Sequence, residues 1–221
     1  MYEIPALLNT LSGLSTFFHT SARRTADLDQ IAADNNLTVR RFPKLYEVRW
    51  SEFTTALLDS VLVSWKVQMK YFTLRSQTAS EGDKSRFRKA LTKVDNIRLM
   101  YFLADLLFLL QNFQKKLQSD SITIIDLKPQ LSVFIQKVIA MEKAPLLGGW
   151  EEVLARGMQT VEGTHSMFDV ELWTKQRRRQ ASNLYVTDTR DFAAIRHDSL
   201  QAIQNFMSSR LSYDDTFESM P

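Results

Sequence analysis

The chain has 221 residues, enough for one domain or two and for a sizeable core. With 44% hydrophobic and 24% charged residues it falls among ordinary globular proteins rather than disordered ones, and the absence of cysteine excludes disulfides and thiolate metal ligands. The net charge of +3 is too mild to be a nucleic-acid signature by itself, and no apolar run approaches the length of a membrane span.

Only 6 glycines and 5 prolines punctuate the chain, which predicts few, long helices rather than many short strands. The opening Met1-Tyr-Glu-Ile-Pro has no basic region, so no signal peptide is expected. Ile4, Leu7, Leu8, Leu11, Leu14 and Phe18 recur at helical spacing and predict a first amphipathic helix over about residues 3–19. Ser21 is an N-cap for a short second helix through Ile31 and Ala32, and Asn35-Asn36 is its natural stop. Residues 37–49 read as extended chain, because Pro43 keeps Phe42 out of the helical region.

Phe53, Ala56, Leu57, Val61, Ser64, Trp65, Met69 and Phe72 predict one helix from Ser51 to about Arg75. A polar loop with Gly82 follows, then a helix from Lys84 to Leu117 with a kink near Asp95-Asn96. Its stretch from Leu99 to Leu110 is apolar nearly all round and should be central, so Asp105 within it must face an edge or find a partner. The aromatics Tyr71, Phe72, Tyr101, Phe102, Phe108 and Phe113 are assigned to the core. Ile122 to Leu127 reads as a short extended piece, and Pro129 as the first turn of a helix carrying Leu131, Phe134, Ile135, Val138 and Ile139. Leu147-Gly148-Gly149 is a turn without the residues of a phosphate loop. Residues 150–186 are ambiguous: Val153, Leu154, Met158 and Val161 suggest a weak helix, and Trp173 to Tyr185 another. Asp191 to Leu211 predicts a final helix with Phe192, Ile195, Leu200, Ile203, Phe206 and Met207 inward. The reading is therefore an all-α protein of long amphipathic helices, with one domain over 1–211 and an acidic, disordered tail over 212–221.

Three basic groups stand out: Arg40, Arg41, Lys44 and Arg49; Lys84, Arg86, Arg88, Lys89 and Lys93; and Lys175, Arg177, Arg178 and Arg179. The first and third can contact phosphates or, equally, form solvated faces; Arg177 to Arg179 also fit a nuclear import patch. His19, His165 and His197 are far apart in sequence and suggest no metal site.

One ordered set of residues carries a resemblance. Phe17-Phe18, then Ser21, Arg24 and Leu28, then Arg49-Trp50 opening a helix, resemble the hAT superfamily of transposases and, more narrowly, host proteins derived from them. The segment from Arg190-Asp191-Phe192 to Arg210-Leu211 is similar to the family's late helix. The likeness runs over about residues 5–211 and is loose between 75 and 185; Val48 and Leu211 depart from the usual Thr and Phe. It implies the helical insertion of an RNase H-like core, with Trp50 either stacking on DNA or packing its helix start on the core. A transposase site needs three carboxylates to hold two divalent metals, and this chain offers no assignable set. The resemblance thus implies a non-enzymatic, domesticated protein of the nucleus, without cofactor or metal. Its partners would be DNA, bound weakly and without sequence preference, and a protein partner or second copy, with no membrane. The candidate nucleic-acid residues are Arg40, Arg41, Lys44, Arg49, Trp50, Arg177, Arg178 and Arg179. The alternatives are a fragment of a longer active hAT transposase and an unrelated helical scaffold or interaction protein.

Overall fold

The structure, a computed structural model, describes residues 3–43, 50–74, 79–118, 124–174 and 192–214, with the backbone alone at 50, 124–126 and 210–214. In chain order the described elements are α1 (Glu3–His19), α2 (Ala22–Asp34), α3 (Trp50–Val63), α4 (Trp65–Thr73), α5 (Glu81–Thr92), α6 (Val94–Leu117), α7 (Ile124–Lys143), α8 (Trp150–Gly157), β1 (Met158–Val161), β2 (Thr164–Met167), β3 (Val170–Leu172) and α9 (Phe192–Asp214). The protein is mostly helical, as composition predicts, with one small sheet that the periodicity did not reveal. Among the described residues, no helix is long and apolar enough to cross a membrane.

The local signals at the amino-terminal end hold. The Ser21 side chain accepts a hydrogen bond from the Arg24 N–H and so satisfies one of the orphan donors of α2. Asn35 closes that helix and Asn36 takes a left-handed φ of +51°, which asparagine tolerates. Phe17 and Phe18, near the end of α1, are buried in an aromatic cluster with Phe42, Tyr71, Phe72 and Phe87, the Phe18 and Phe42 rings stacked at 5.3 Å.

Two expected continuous helices are interrupted, and both interruptions have long-range causes. The helix expected over 51–75 breaks at Ser64, whose hydroxyl accepts from the Arg40 N–H at 2.8 Å and donates to the Arg40 carbonyl at 3.3 Å. The helix expected over 84–117 begins earlier, at Glu81 behind an N-cap Ser80, and breaks at Lys93 rather than at Asp95-Asn96. The last four carbonyls of α5 have no helical partner of their own. Lys89 O accepts from Trp173 Nε1, Ala90 O from Asn96 Nδ2, Leu91 O from Trp65 Nε1 and Thr92 O from the Trp173 N–H, each at 3.0 Å. Every donor comes from outside the helix, so α5 ends where tertiary structure receives it.

Helix α6 is the axis of the fold, about 36 Å long at 1.5 Å per residue. It packs against α3, α5, α7, α8 and α9. Phe102 is fully buried, between the edge of Phe192 at 6.3 Å and the Arg196 guanidinium at 5.5 Å. Phe108 is a correction: it is 55% exposed on the surface of α6. Phe113 is half-buried and stacks on Phe134 of α7 at 4.8 Å.

Further corrections concern the second half. Residues 124–127 belong to α7, so Pro129 lies inside that helix rather than in its first turn, and Ile139 is more than a third exposed. The weak helix read through Val161 ends at Gly157; Met158 and Val161 belong to β1 of a three-stranded antiparallel meander. Its turns are the pairs Glu162-Gly163 and Phe168-Asp169, all four residues at positive φ as a two-residue hairpin of the right twist requires. Only one of those four is a glycine, which is why the sequence pattern hid the hairpin. Trp173 pairs with Lys93 in a parallel bridge; the rest of the helix expected over 173–185 lies outside the described residues. Helix α9 runs over Phe192–Asp214 against the expected 191–211, but Phe206 points outward at 55% exposure. The tail beyond Asp214 lies outside the described residues.

Candidate nucleic-acid interface

Arg40 and Arg41 sit on the extended segment between α2 and α3, which is fastened from three sides. Ser64 holds both backbone groups of Arg40, Ser60 Oγ donates to the Arg41 carbonyl at 2.8 Å, and His19 Nε2 donates to the Phe42 carbonyl at 2.8 Å. Phe42 is buried against Phe18. The backbone is therefore rigid while both guanidiniums stand at the surface, 55% and 67% exposed. Each has a carboxylate partner: Arg40 pairs with Asp59 of α3, and Arg41 with Asp29 of α2 at 2.7 Å. A phosphate at this edge has to compete with those two carboxylates, which weakens its attraction. Lys44 and Arg49 lie outside the described residues, and Trp50 opens α3 with only its backbone described.

A second site emerges at α5. Between α4, α5 and the end of β3 lies a cavity of about 470 Å³ lined by Phe72, Lys84, Arg88, Lys89, Glu171 and Trp173, among others. Lys84 is buried along its stem and its ammonium is held by Glu81 at 2.8 Å. Arg88 and Lys89 are exposed one turn further along the same helix. Trp173 is immobilised over the α5 carboxyl terminus by its three hydrogen bonds to Lys89, Thr92 and Val94. A cationic helix end suits the negative pole of the dipole, so this is also where α5 gains from its own lysine and arginine.

Trp173, held on the end of α5, stands two residues before Lys175 in the sequence. Lys175, Arg177, Arg178 and Arg179 themselves lie outside the described residues. The sequence singled out both basic groups but not the contact of Trp173 with the end of α5, because Lys93 and Trp173 are eighty residues apart.

The three histidines remain apart. His19 fastens the Phe42 carbonyl, His165 Nδ1 faces Thr160 Oγ1 at 2.8 Å, and His197 meets Glu142 at 2.8 Å. Among the described residues no three His, Asp or Glu side chains cluster as metal ligands would. No family model, no curated protein and no solved structure matches the chain.

The polar centre of the molecule is structural. Asp105 is buried in α6 and its two carboxylate oxygens accept from the Trp150 N–H at 2.7 Å and the Glu151 N–H at 2.9 Å, the first turn of α8. Burial raises its pKa, and those two N–H donors pull the other way. Glu151 in turn receives Arg196 Nε at 2.9 Å in a nearly buried ion pair, and Arg196 also donates to the Met141 carbonyl. One chain of charged groups thus ties α6, α8, α9 and α7 together. The sequence required a partner for Asp105; only the fold supplied a helix terminus from forty-five residues away.

Proposed function

We propose that this chain is a non-catalytic, transposase-derived helical domain that associates with DNA in the nucleus through the phosphate backbone. The contacts are Arg88 and Lys89 on the α5 carboxyl-terminal face, together with Lys175, Arg177, Arg178 and Arg179 of the basic run that follows Trp173 in the sequence. The observation that carries the reading is the anchoring of Trp173 on the end of α5, where Arg88 and Lys89 are exposed, two residues before the third basic group in the sequence. Arg40 and Arg41 play the lesser part, since each is already paired with a carboxylate. The ordered Phe17-Phe18, Ser21, Arg24 and Arg49-Trp50 set supports the transposase origin, and Trp50 at the start of α3 is consistent with it.

Phosphate contacts release counterions, so binding should be weak, tolerant of sequence and steeply salt-dependent. Fluorescence anisotropy of a short labelled duplex, titrated between low and moderate salt, measures this. Changing Arg88 and Lys89 together to Ala should reduce the salt slope by about 2, and changing Arg177, Arg178 and Arg179 by about 3. Arg41→Ala should change it less than either. Binding indifferent to salt, or unchanged in both multiple variants, would sink the proposal. A non-catalytic domain also leaves the duplex intact in manganese; cleavage abolished by changing one Asp or Glu of this chain would overturn that part.

A further inference from the structure

Two surface hollows share one wall, Trp150 at the start of α8. The first, about 390 Å³, lies between α3 and α6 and is bounded by Glu52, Ala56, Asp59 and Phe108 among others. The second, about 290 Å³, lies between α4, α8 and the β2–β3 turn, with Val63, Lys66, Val153 and Phe168 around it. Among the described residues ten large hydrophobic side chains are exposed, and four of them surround Trp150. Phe108 shares the first hollow with it, Val153 and Phe168 share the second, and Leu147 stands three residues before it. Singly exposed apolar residues need no explanation, but a contiguous patch of them marks an interaction surface.

Leu147 is the most exposed of the four, at 98%, yet its backbone is held. The Gly149 N–H donates to the Leu146 carbonyl at 2.9 Å, and Gly148 takes the positive φ, +71°, that a type II turn places at its third residue. The Gly148 N–H donates in turn to the Glu152 carboxylate. A leucine is thus presented at a fixed turn tip, with little backbone entropy left to lose on contact.

Charge is divided across the patch. Glu52 is exposed at the first hollow, and Lys66 is exposed at the second, its ammonium 4.0 Å from the centre of the Phe168 ring. Asp59, between them along α3, is already paired with Arg40. One end of the patch is therefore acidic, the other basic, and the middle apolar. Such a surface is complementary to itself after a half-turn, because a twofold axis crossing it at Trp150 sets each end against the opposite end of a second copy.

We propose that this face is a homodimer interface, in which two copies of the chain pack Leu147, Phe108 and Trp150 together across a twofold axis and set Glu52 of each against the partner's Lys66. The surface is separate from the basic α5 face and does not rest on the DNA reading.

The test is sedimentation equilibrium of the full chain at about 1–100 μM, a range in which weak protein pairs associate. A dimer fraction rising with concentration is expected. Leu147→Ser and Phe108→Ser, at exposed positions, should each weaken association at least about fivefold, with urea midpoints confirming that the variants fold. Glu52→Lys and Lys66→Glu should each weaken it about tenfold by setting like charges together. An equimolar mixture of those two variants should recover association, since the mixed pair has opposite charges at both contacts. A monomer throughout the concentration range overturns the proposal. So does association left unchanged by Leu147→Ser and Phe108→Ser. A mixture of the two charge variants that associates no better than either alone overturns the twofold pairing of Glu52 with the partner's Lys66.

Discussion

Gly149→Ala is the sharpest perturbation of the buried polar centre. Gly149 precedes α8 with φ −78° and ψ 173°, a conformation open to any residue, so backbone strain plays no part in the substitution. What matters is distance: a Cβ there would stand 2.7 to 2.9 Å from the three carboxylate atoms of Asp105. The carboxylate has to retreat, and it then loses its grip on the Trp150 and Glu151 N–H groups, at 2.7 and 2.9 Å. Hydrogen bonds to a charged group contribute about 1.5–3 kcal/mol each, and the displaced carboxylate remains buried. We expect a loss of about 2–4 kcal/mol, read as a lower urea midpoint at unchanged slope. The control is the same substitution in an Asp105→Ala background. There the Cβ meets no carboxylate, and Gly→Ala should be neutral or stabilise by about 0.4–1 kcal/mol through the unfolded chain. The two sites should therefore couple by at least about 2 kcal/mol in a double-mutant cycle. Equal costs in the two backgrounds would refute the reasoning, since they would place the strain somewhere other than the Asp105 contact.

Other outcomes follow from the same packing. Phe102→Ala should destabilise the protein by about 3–5 kcal/mol, from lost burial and the residual cavity, with oligomeric state unchanged in sedimentation; a variant of unaltered stability would contradict the buried position of that ring. Glu142 of α7 accepts from Gln201 and Gln204 of α9 and faces His197, and these hydrogen bonds hold its carboxyl below the usual glutamate value of 4.5. Because the folded pKa is the lower one, this contribution is present above pH 4.5 and is lost as pH falls through the folded value. Glu142→Gln should flatten that part of the acid limb in denaturation midpoints measured against pH, and an unchanged limb would count against it. Tyr101, pushed up to about 12 by burial, should be missing from a spectroscopic phenol titration of the folded protein near pH 10; a normal titration of all tyrosines there would contradict its burial.

The resolution between sequence and fold is clearest where a break or a partner is concerned. The extents of α1 and α2, the Ser21 cap and the Asn35 stop were legible because each depends on residues within a turn or two. The centrality of α6 was legible from a stretch apolar on every side, although Phe108 shows that such a stretch can still leave one ring outside. The breaks at Ser64 and Lys93 were not legible. Neither residue is a helix breaker by itself; Ser64 is claimed by Arg40, and Lys93 sits where Trp65, Asn96 and Trp173 close the end of α5.

The hairpin over 158–172 escaped for a related reason. Val153, Leu154, Met158 and Val161 lie at helical spacing, and the signal against a helix is a pair of two-residue turns in which three of four residues are not glycine. For the candidate interface, the sequence by itself determined which residues are basic and that Trp173 stands beside one such group. Tertiary structure decided that Arg40 and Arg41 come paired with carboxylates, and that Trp173 binds the end of α5. Periodicity and capping act over a few residues and are written locally. Carboxylate pairing and the closing of a helix end join residues up to eighty-four positions apart, and only the packed chain specifies those contacts.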